Sequence, residues 1–391
     1  MISTVKKILI VVDERKMGGV SILLEDMMFM IDRKNLKFDI LCLHNNGNRL
    51  ENLPDDVNLI YGTSYFETID LTLKEVLKTK NISLILKKIR LVLSMKTGII
   101  KYRIKRERKK ILKDDYDVEI AFKDGFTALF VGFGDCKTKI HWLHYNYRSM
   151  NSNAKYKRLF KKILSKFNKI IAVSKGVMDD FNNIYHLEDK CEVINNLVNI
   201  DRIKEKVKEE VQIDKNDKLR FISVGRLHKI KGYDRLLEAV SKLEKENLIE
   251  NVEFKIYGDG PEKENLLLKI DNLGLNEKFK LMGETSNPYS KIINSDLFIL
   301  SSFFETFGLV IVEAMTLKVP VLATSNSATF ELIDNDKNGK IVENSADGLY
   351  QGLKFILNNL DVLNKYKKNL ENYDYNKNNM IIIKKIEDLF R

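Results

Sequence analysis

Apolar residues fall along this chain in short runs, separated by stretches of helical periodicity. In the first half the runs are KKILIVVD (6–13), FDILCL (38–43), VNLIYG (57–62), DVEIAF (117–122), KIHWLH (139–144), KIIAVS (169–174) and CEVINN (191–196). Several are almost continuously hydrophobic, as parallel strands buried on both faces must be. A second series follows the polar, charged stretch 199–218: FISVGR (221–226), VEFKIYG (252–258), KFKLMG (278–283), LFILSS (297–302), PVLAT (320–324) and GKIV (339–342). Helical patterns such as YDRLLEAVSKL and PEKENLLLKIDNLG lie between the runs, and residues 346–391 read as helices only. Strand–helix alternation that stops at a charged linker and starts again predicts an α/β chain with two doubly wound parallel sheets. Ligands bind such sheets at the carboxyl ends of the strands, so the cleft between the two is the expected site.

The length of 391 residues accommodates two such domains with full cores. No window holds 18 consecutive apolar residues, so no transmembrane helix is expected. The opening MISTVKKILIVVDER has an apolar run that ends in Asp13 and Glu14, which suits a first strand and not a signal peptide. Cys42, Cys136 and Cys191 form no CxxC pair and no zinc spacing, and are read as reduced core thiols of a cytoplasmic protein. A net charge of +11 favours anionic partners. Cations are dense in KYRIKRERKKILK (101–113), and KYKRLFKKILSKFNK (155–169) mixes them with Leu, Ile and Phe at helical spacing. Both segments are candidates for an anionic membrane surface or a phosphorylated lipid carrier; a solvated helix face is the plain alternative. No nucleic-acid recognition motif accompanies them, so no nucleic-acid partner is expected.

Three segments after strands carry candidate chemistry. After the first, Gly18-Gly19 precede a helical run, where backbone N–H groups and the helix dipole can meet a phosphate. GxGxxG is absent, which disfavours a dehydrogenase. After FISVG, Arg226 and Lys231 flank a short loop. Cations prepositioned against a departing diphosphate lower a transition state by about 3 kcal/mol each, with Arg suited to bidentate contact and Lys acting as a point charge. The sharpest segment is SSFFETFGLVIVEAM (301–315). Here Glu305 lies in a post-strand loop, Phe307-Gly308-Leu309 open a helix, and the N–H groups from Thr306 to Leu309 suit a phosphate. Glu313 follows inside that helix, among apolar neighbours where a carboxylate is costly unless paired or functional. It is a candidate for a ribose hydroxyl pair, and Glu305 for sugar hydroxyls. His141 and His144, three apart on a strand, point to opposite faces, so at most one faces the cleft. The DxD pairs Asp115/Asp117 and Asp334/Asp336 precede a strand and fit a turn, so no catalytic metal is expected.

Together VGRLHKIKGYDRLLEA, YGDGPEKENL, SSFFETFGLVIVEAM and PVLAT…ELI…NGKIV resemble the retaining glycosyltransferases of the GT-B fold, family 4 (glycosyl transferases group 1). The resemblance is strong from about residue 220 to 343; in the first half it rests on Gly18-Gly19 and on Trp142-Leu143-His144. Glu305 and Glu313 match the family's E-x7-E spacing. The resemblance implies two Rossmann-like domains: an acceptor-binding domain 1–200, a nucleotide-sugar-binding domain 201–373, and a helix 374–391 that returns to the first. It implies that Arg226 and Lys231 bind the donor diphosphate, Glu313 the ribose, Glu305 the transferred sugar and the backbone at 307–309 the phosphate, with His144 facing the reacting sugar. The implied donor is a nucleotide diphosphate sugar, UDP-linked, with no cofactor. The acceptor is a glycan or lipid-linked carrier of bacterial surface polysaccharide or glycoconjugate synthesis, met in the cytoplasm or at the inner face of the plasma membrane. Three positions depart from the family pattern: Lys318 and Thr306 replace frequent glycines, and Ser325-Asn326-Ser327-Ala328 lacks the usual Gly ahead of Glu331. A two-Rossmann nucleotide-sugar epimerase and a non-catalytic membrane- or carbohydrate-binding module remain as alternatives.

Overall fold

A computed structural model describes residues 5–13, 19–44, 50, 52–145, 147, 154–209 and 218–390. The chain divides into two compact units, Met1–Leu197 with Ile381–Arg391, and Val198–Met380.

The first unit is built on seven strands: β1 (Lys6–Val12), β2 (Leu36–Cys42), β3 (Asn58–Tyr61), β4 (Val118–Ala121), β5 (Thr138–Leu143), β6 (Lys169–Ala172) and β7 (Cys191–Val193). They pair in parallel in the order β3-β2-β1-β4-β5-β6-β7. Ile8, Leu9, Ile10 and Val11 of β1 are fully buried, which explains the unbroken apolar run: helices cover both faces of the sheet. Strand order reverses between β1 and β4, so β1 ends beside that switch point.

The second unit repeats the plan with β8 (Leu219–Val224), β9 (Val252–Tyr257), β10 (Phe279–Gly283), β11 (Leu297–Leu300), β12 (Val321–Thr324) and β13 (Gly339–Val342). Their order is β10-β9-β8-β11-β12-β13, again all parallel, with the reversal between β8 and β11. The Phe254 ring packs edge-on against Phe221 and stacks on Phe279. Leu236, Leu237 and Val240 from the helix Tyr233–Lys245 join this core, as do Leu349, Leu353 and Ile356 from Ala346–Asn358.

The two-sheet α/β architecture expected from the strand runs is therefore present, with a strand at each expected place. The charged stretch 199–218 is not all linker: Ile200–Glu209 is a helix that buries Ile200 and Ile203. Two departures from the family pattern acquire a local explanation. Lys318 sits at φ +63, the left-handed region that glycine adopts without strain, and its ammonium donates to Tyr373 O at 2.8 Å. Asn326 caps the helix Ser327–Leu332, accepting from the N–H groups of Ala328 and Thr329, so an Asn cap stands in the segment that lacks the glycine.

The last helix, Asn376–Phe390, begins in the second unit, and its residues from Ile381 belong to the first. There Phe390 packs edge-on against Phe38, Glu387 accepts from the Asp32 N–H, and Lys385 donates to Val193 O. Just before that change of unit, buried Asn379 brackets Val198, accepting from its N–H at 3.2 Å and donating to its carbonyl at 2.8 Å. Asn379→Ala strands both peptide groups. It is expected to lower the unfolding free energy by about 2 kcal/mol, read from the midpoint of urea denaturation.

Candidate functional site

The loops that leave β8 and β11 stand on either side of the second unit's switch point, and both are tied down by their own backbone. After β8, the Gly225 N–H donates to Tyr257 O and the Leu227 N–H to Asp259 O, while the Glu262 N–H donates back to Leu227 O. The loop 225–232 is thereby fastened to the loop after β9. It closes at Gly232, φ +64, where a Cβ would lie 2.2 Å from Ser301 O. Only glycine lets the chain pass this close to the exit of β11. The contact continues through the Phe303 N–H, which donates to Ile230 O at 2.8 Å, and Ser301 Oγ, which donates to Lys231 O at 2.7 Å.

Arg235, Thr324 and Asn344, which sequence reasoning did not single out, hold the β11 exit. Arg235 donates to Ser301 O at 2.6 Å and to Asn344 O and Oδ1, and its guanidinium lies 3.5 Å from the centre of the Phe303 ring. Thr324 Oγ1 donates to Ser302 O at 2.6 Å, and Asn344 Nδ2 donates to Phe303 O and Ser325 O. The available signal was Arg235 itself, an arginine set in the buried face of YDRLLEAV between Tyr233 and Leu236.

These constraints bring Lys231 and Glu305 together. Lys231 Nζ donates to Glu305 Oε1 at 2.7 Å, and Ser302 Oγ donates to the same oxygen at 2.6 Å. Glu305 Oε2 accepts from no described residue. Burial works against the Lys231 ammonium, but the charge of Glu305 and its hydrogen bond outweigh burial and raise the lysine pKa. Arg226, at the head of the same loop, is exposed and its guanidinium pairs with no described residue. Beyond Glu305, Thr306 is half-buried and Phe307 is buried. Gly308, φ +86, caps the helix Leu309–Thr316. The N–H groups of Phe307, Gly308 and Leu309 donate to no described group, which leaves a converging set of donors at a helix N-terminus. Glu313, half-buried in that helix, accepts from Tyr289 OH at 3.3 Å, and Arg202 in turn donates to that hydroxyl at 3.4 Å.

In the first unit, Gly18 lies outside the described residues, and Gly19 is the exposed first residue of the helix Gly19–Met30. His144 follows β5 and packs on the Phe122 ring. Burial pushes its imidazole down to about 3, with the Asp124 carboxylate opposing, and its Nε2 has no described partner. His141 is buried within β5, with Nε2 3.1 Å from Asp124 Oδ1. Tyr147 OH donates to the same oxygen. His141 is therefore a core residue held through Nε2, while its buried Nδ1 has no described partner.

Among the described residues no group of three or more His, Cys, Asp or Glu converges as a metal site. Three of the four DxD carboxylates have other work: Asp117 accepts from the Lys7 N–H, Asp334 pairs with Lys337, and Asp336 pairs with Lys340. The three cysteines are free thiols. No described helix is long and apolar enough to cross a membrane.

Residues 201–375 match the family model of glycosyl transferases group 1. The chain is 30% identical to the Campylobacter jejuni N-acetylgalactosamine-N,N'-diacetylbacillosaminyl-diphospho-undecaprenol 4-alpha-N-acetylgalactosaminyltransferase, over 60% of this chain and 62% of that protein. It is 27% identical to the alpha-monoglucosyldiacylglycerol synthase of Acholeplasma laidlawii, over 73% of this chain and 75% of that one. The chain spans a third to three fifths of the length of the first curated relatives it matches. Among solved structures, Anabaena HepE in complex with UDP-glucose shares the fold at a TM-score of 0.71 and 17% identity, over 98% of this chain and all of that one. The chain thus has the two-Rossmann GT-B fold, and its residues 201–375 are similar to the glycosyl transferases group 1.

Lys231→Met leaves the Glu305 carboxylate without its counter-ion and is expected to cost about 3 kcal/mol of stability at neutral pH. A lysine whose pKa is raised on folding contributes in full below its unfolded value of about 10.5. That contribution fades as pH rises through the higher folded value. Urea denaturation of both proteins should therefore give a constant difference from pH 7 to about 10 that shrinks above it. His144 behaves oppositely. The unfolded chain takes up its proton near pH 6.5 and the folded chain only near 3, so stability falls as pH drops between the two. His144→Gln should flatten that part of the acid limb in the same measurement.

Proposed function

We propose that this protein is a glycosyltransferase that moves a sugar from a nucleotide diphosphate sugar, with UDP as the nucleotide, to a glycan or lipid-linked acceptor. The observation that carries the reading is the Lys231–Glu305 pair at the β8/β11 switch point, with the Arg226 guanidinium, which pairs with no described residue, at the head of the same loop. UDP is suggested by its presence in a neighbour of the same fold. The acceptor class is suggested by relatives whose names cite a diphospho-undecaprenol carrier and a diacylglycerol. Bacterial surface polysaccharide or glycoconjugate synthesis is the fitting context, at the cytoplasmic face of a membrane approached through the basic segments 101–113 and 155–169.

In this reading the donor diphosphate meets Arg226, Lys231 and the N–H groups of Phe307, Gly308 and Leu309. As the bond from C1 of the sugar to the β-phosphate oxygen breaks, negative charge grows on the diphosphate. Guanidinium, ammonium and amide dipoles already in place stabilise it without reorganising, so the protein supplies the positive charge itself and no metal is required. Glu305, its Oε1 anchored by Lys231 and Ser302, offers Oε2 to the hydroxyls of the transferred sugar. Glu313 takes the ribose hydroxyls, with Tyr289 orienting its carboxylate. Family resemblance assigns retention of configuration. The acceptor oxygen joins C1 on the face the diphosphate leaves, and its proton passes to a departing phosphate oxygen. His144, held neutral by burial, is assigned by the same resemblance to the reacting sugar.

UDP should raise the thermal unfolding midpoint, because a ligand that binds the native state alone stabilises it. Lys231→Ala and Arg226→Ala should each lower kcat/KM by about 100-fold. Glu313→Ala should raise the donor KM by about 10-fold, and EDTA should leave the rate unchanged. Undiminished kcat/KM in Lys231→Ala would remove these assignments, and conversion of donor without an acceptor would identify an epimerase.

A further inference from the structure

We propose that the helices Leu73–Lys78 and Ile82–Thr97 of the first unit form a docking face for an anionic lipid bilayer, with a ridge of Ile82, Leu86, Ile89 and Leu93 entering the interface. It rests on the reading of the protein as peripheral at an anionic membrane, and it assigns that contact to a different surface from the basic segments named above.

The helix Ile82–Thr97 is apolar on two sides. Its inner side is spent on the unit's own core: Leu91 and Ser94 are buried, and Lys88 reaches in to donate to Thr68 O. Its outer side carries Ile82, Leu86, Ile89 and Leu93, which are 73%, 48%, 41% and 53% exposed. Spacings of four, three and four place them in one stripe about 16 Å long. Exposed Leu73 and Leu77 of the neighbouring helix extend it, and Arg90 and Lys96 lie exposed along its flanks.

Charge decides what covers this face. From Leu73 to Thr97, on and between these two helices, there are seven Lys and Arg against Glu75, of which Lys88 is turned into the core and Lys87 pairs with Glu67. Exposed Lys74, Lys78, Lys80, Arg90 and Lys96 remain against exposed Glu75, so the surface around the ridge is cationic. Two copies meeting through this face would bring like charges together, and a nucleic acid would find aliphatic side chains where it needs hydrogen-bond donors. An anionic bilayer satisfies both parts, taking the cations at its headgroups and the aliphatic ridge below them. The basic segments supply charge but expose no aliphatic stripe among their described residues, Tyr102 being the one large exposed apolar side chain there. The helix Ala154–Leu164 buries Phe160, Ile163 and Leu164, and Ile100–Ile111 buries Ile100 and Ile104.

The test is co-flotation of the whole protein with vesicles of phosphatidylglycerol and phosphatidylcholine, against vesicles of phosphatidylcholine alone. Wild type should float with the anionic vesicles only. Leu86→Glu/Leu93→Glu should lose that binding by about 10-fold or more while keeping its circular dichroism and unfolding midpoint. Leu86→Trp, which does not disturb the charge, should show a blue shift in emission on adding anionic vesicles. If wild type fails to float, both this face and the membrane part of the proposed function fall. If the double glutamate variant floats like wild type while Lys161→Glu/Lys162→Glu does not, this face alone falls. A dimer in light scattering that becomes monomeric in the glutamate variant would assign the ridge to a second copy instead.

Discussion

One ammonium–carboxylate contact, Lys231 to Glu305 at 2.7 Å, joins the two loops that flank the reversal of the second sheet. Its partners are 74 residues apart in sequence, and neither is fully in water. A half-buried charge pair persists only if its geometry is enforced, because each ion gives up hydration that the other must return. The enforcement is visible around it. Gly232 passes against Ser301, Arg235 donates to the same carbonyl, and Thr324 fixes Ser302, whose hydroxyl completes the coordination of Glu305. The loops are thus set by contacts behind them, which leaves Arg226, Glu305 Oε2 and the N–H groups at 307–309 free of described protein partners.

The fold was legible because parallel strands covered on both faces must be written as apolar runs. KKILIVVD and LFILSS announce β1 and β11 with no need for an alternating pattern. The position of candidate chemistry was legible for the same reason, since the residues after each run must emerge at one edge of a sheet. Pairing was not legible. Nothing in the local pattern says that Lys231 meets Glu305, that Tyr289 meets Glu313, or that Arg235 braces Ser301, because sheet order and crossover set these contacts. Lys318 shows the reverse case: a replacement that looks like a break in the pattern keeps the left-handed backbone and adds a hydrogen bond to Tyr373.

Charge counting in the sequence also overstated the free cations. Within 101–113, Arg108 is buried against Glu119 at 2.6 Å, donates to Phe130 O and lies over the Phe130 ring, while Lys105 pairs with Asp135. In 155–169, Phe160, Ile163, Leu164 and Phe167 proved to be core, and Leu159 is half-buried. The exposed aliphatic ridge of Ile82–Thr97 went unread because its sequence, ISLILKKIRLVLSMKT, has apolar residues on more than one side, and periodicity does not say which side the domain buries.

The last helix has a consequence for how the molecule is made. Residues 381–390 complete the first unit, yet a ribosome reaches them only after the entire second unit has been translated. Phe38, near the start of the chain, waits some 350 residues for the ring that covers it. Until then the nascent first unit carries an uncovered apolar seam, open to chaperones and to wrong partners alike. Its completion depends on residues encoded after the whole of the second unit.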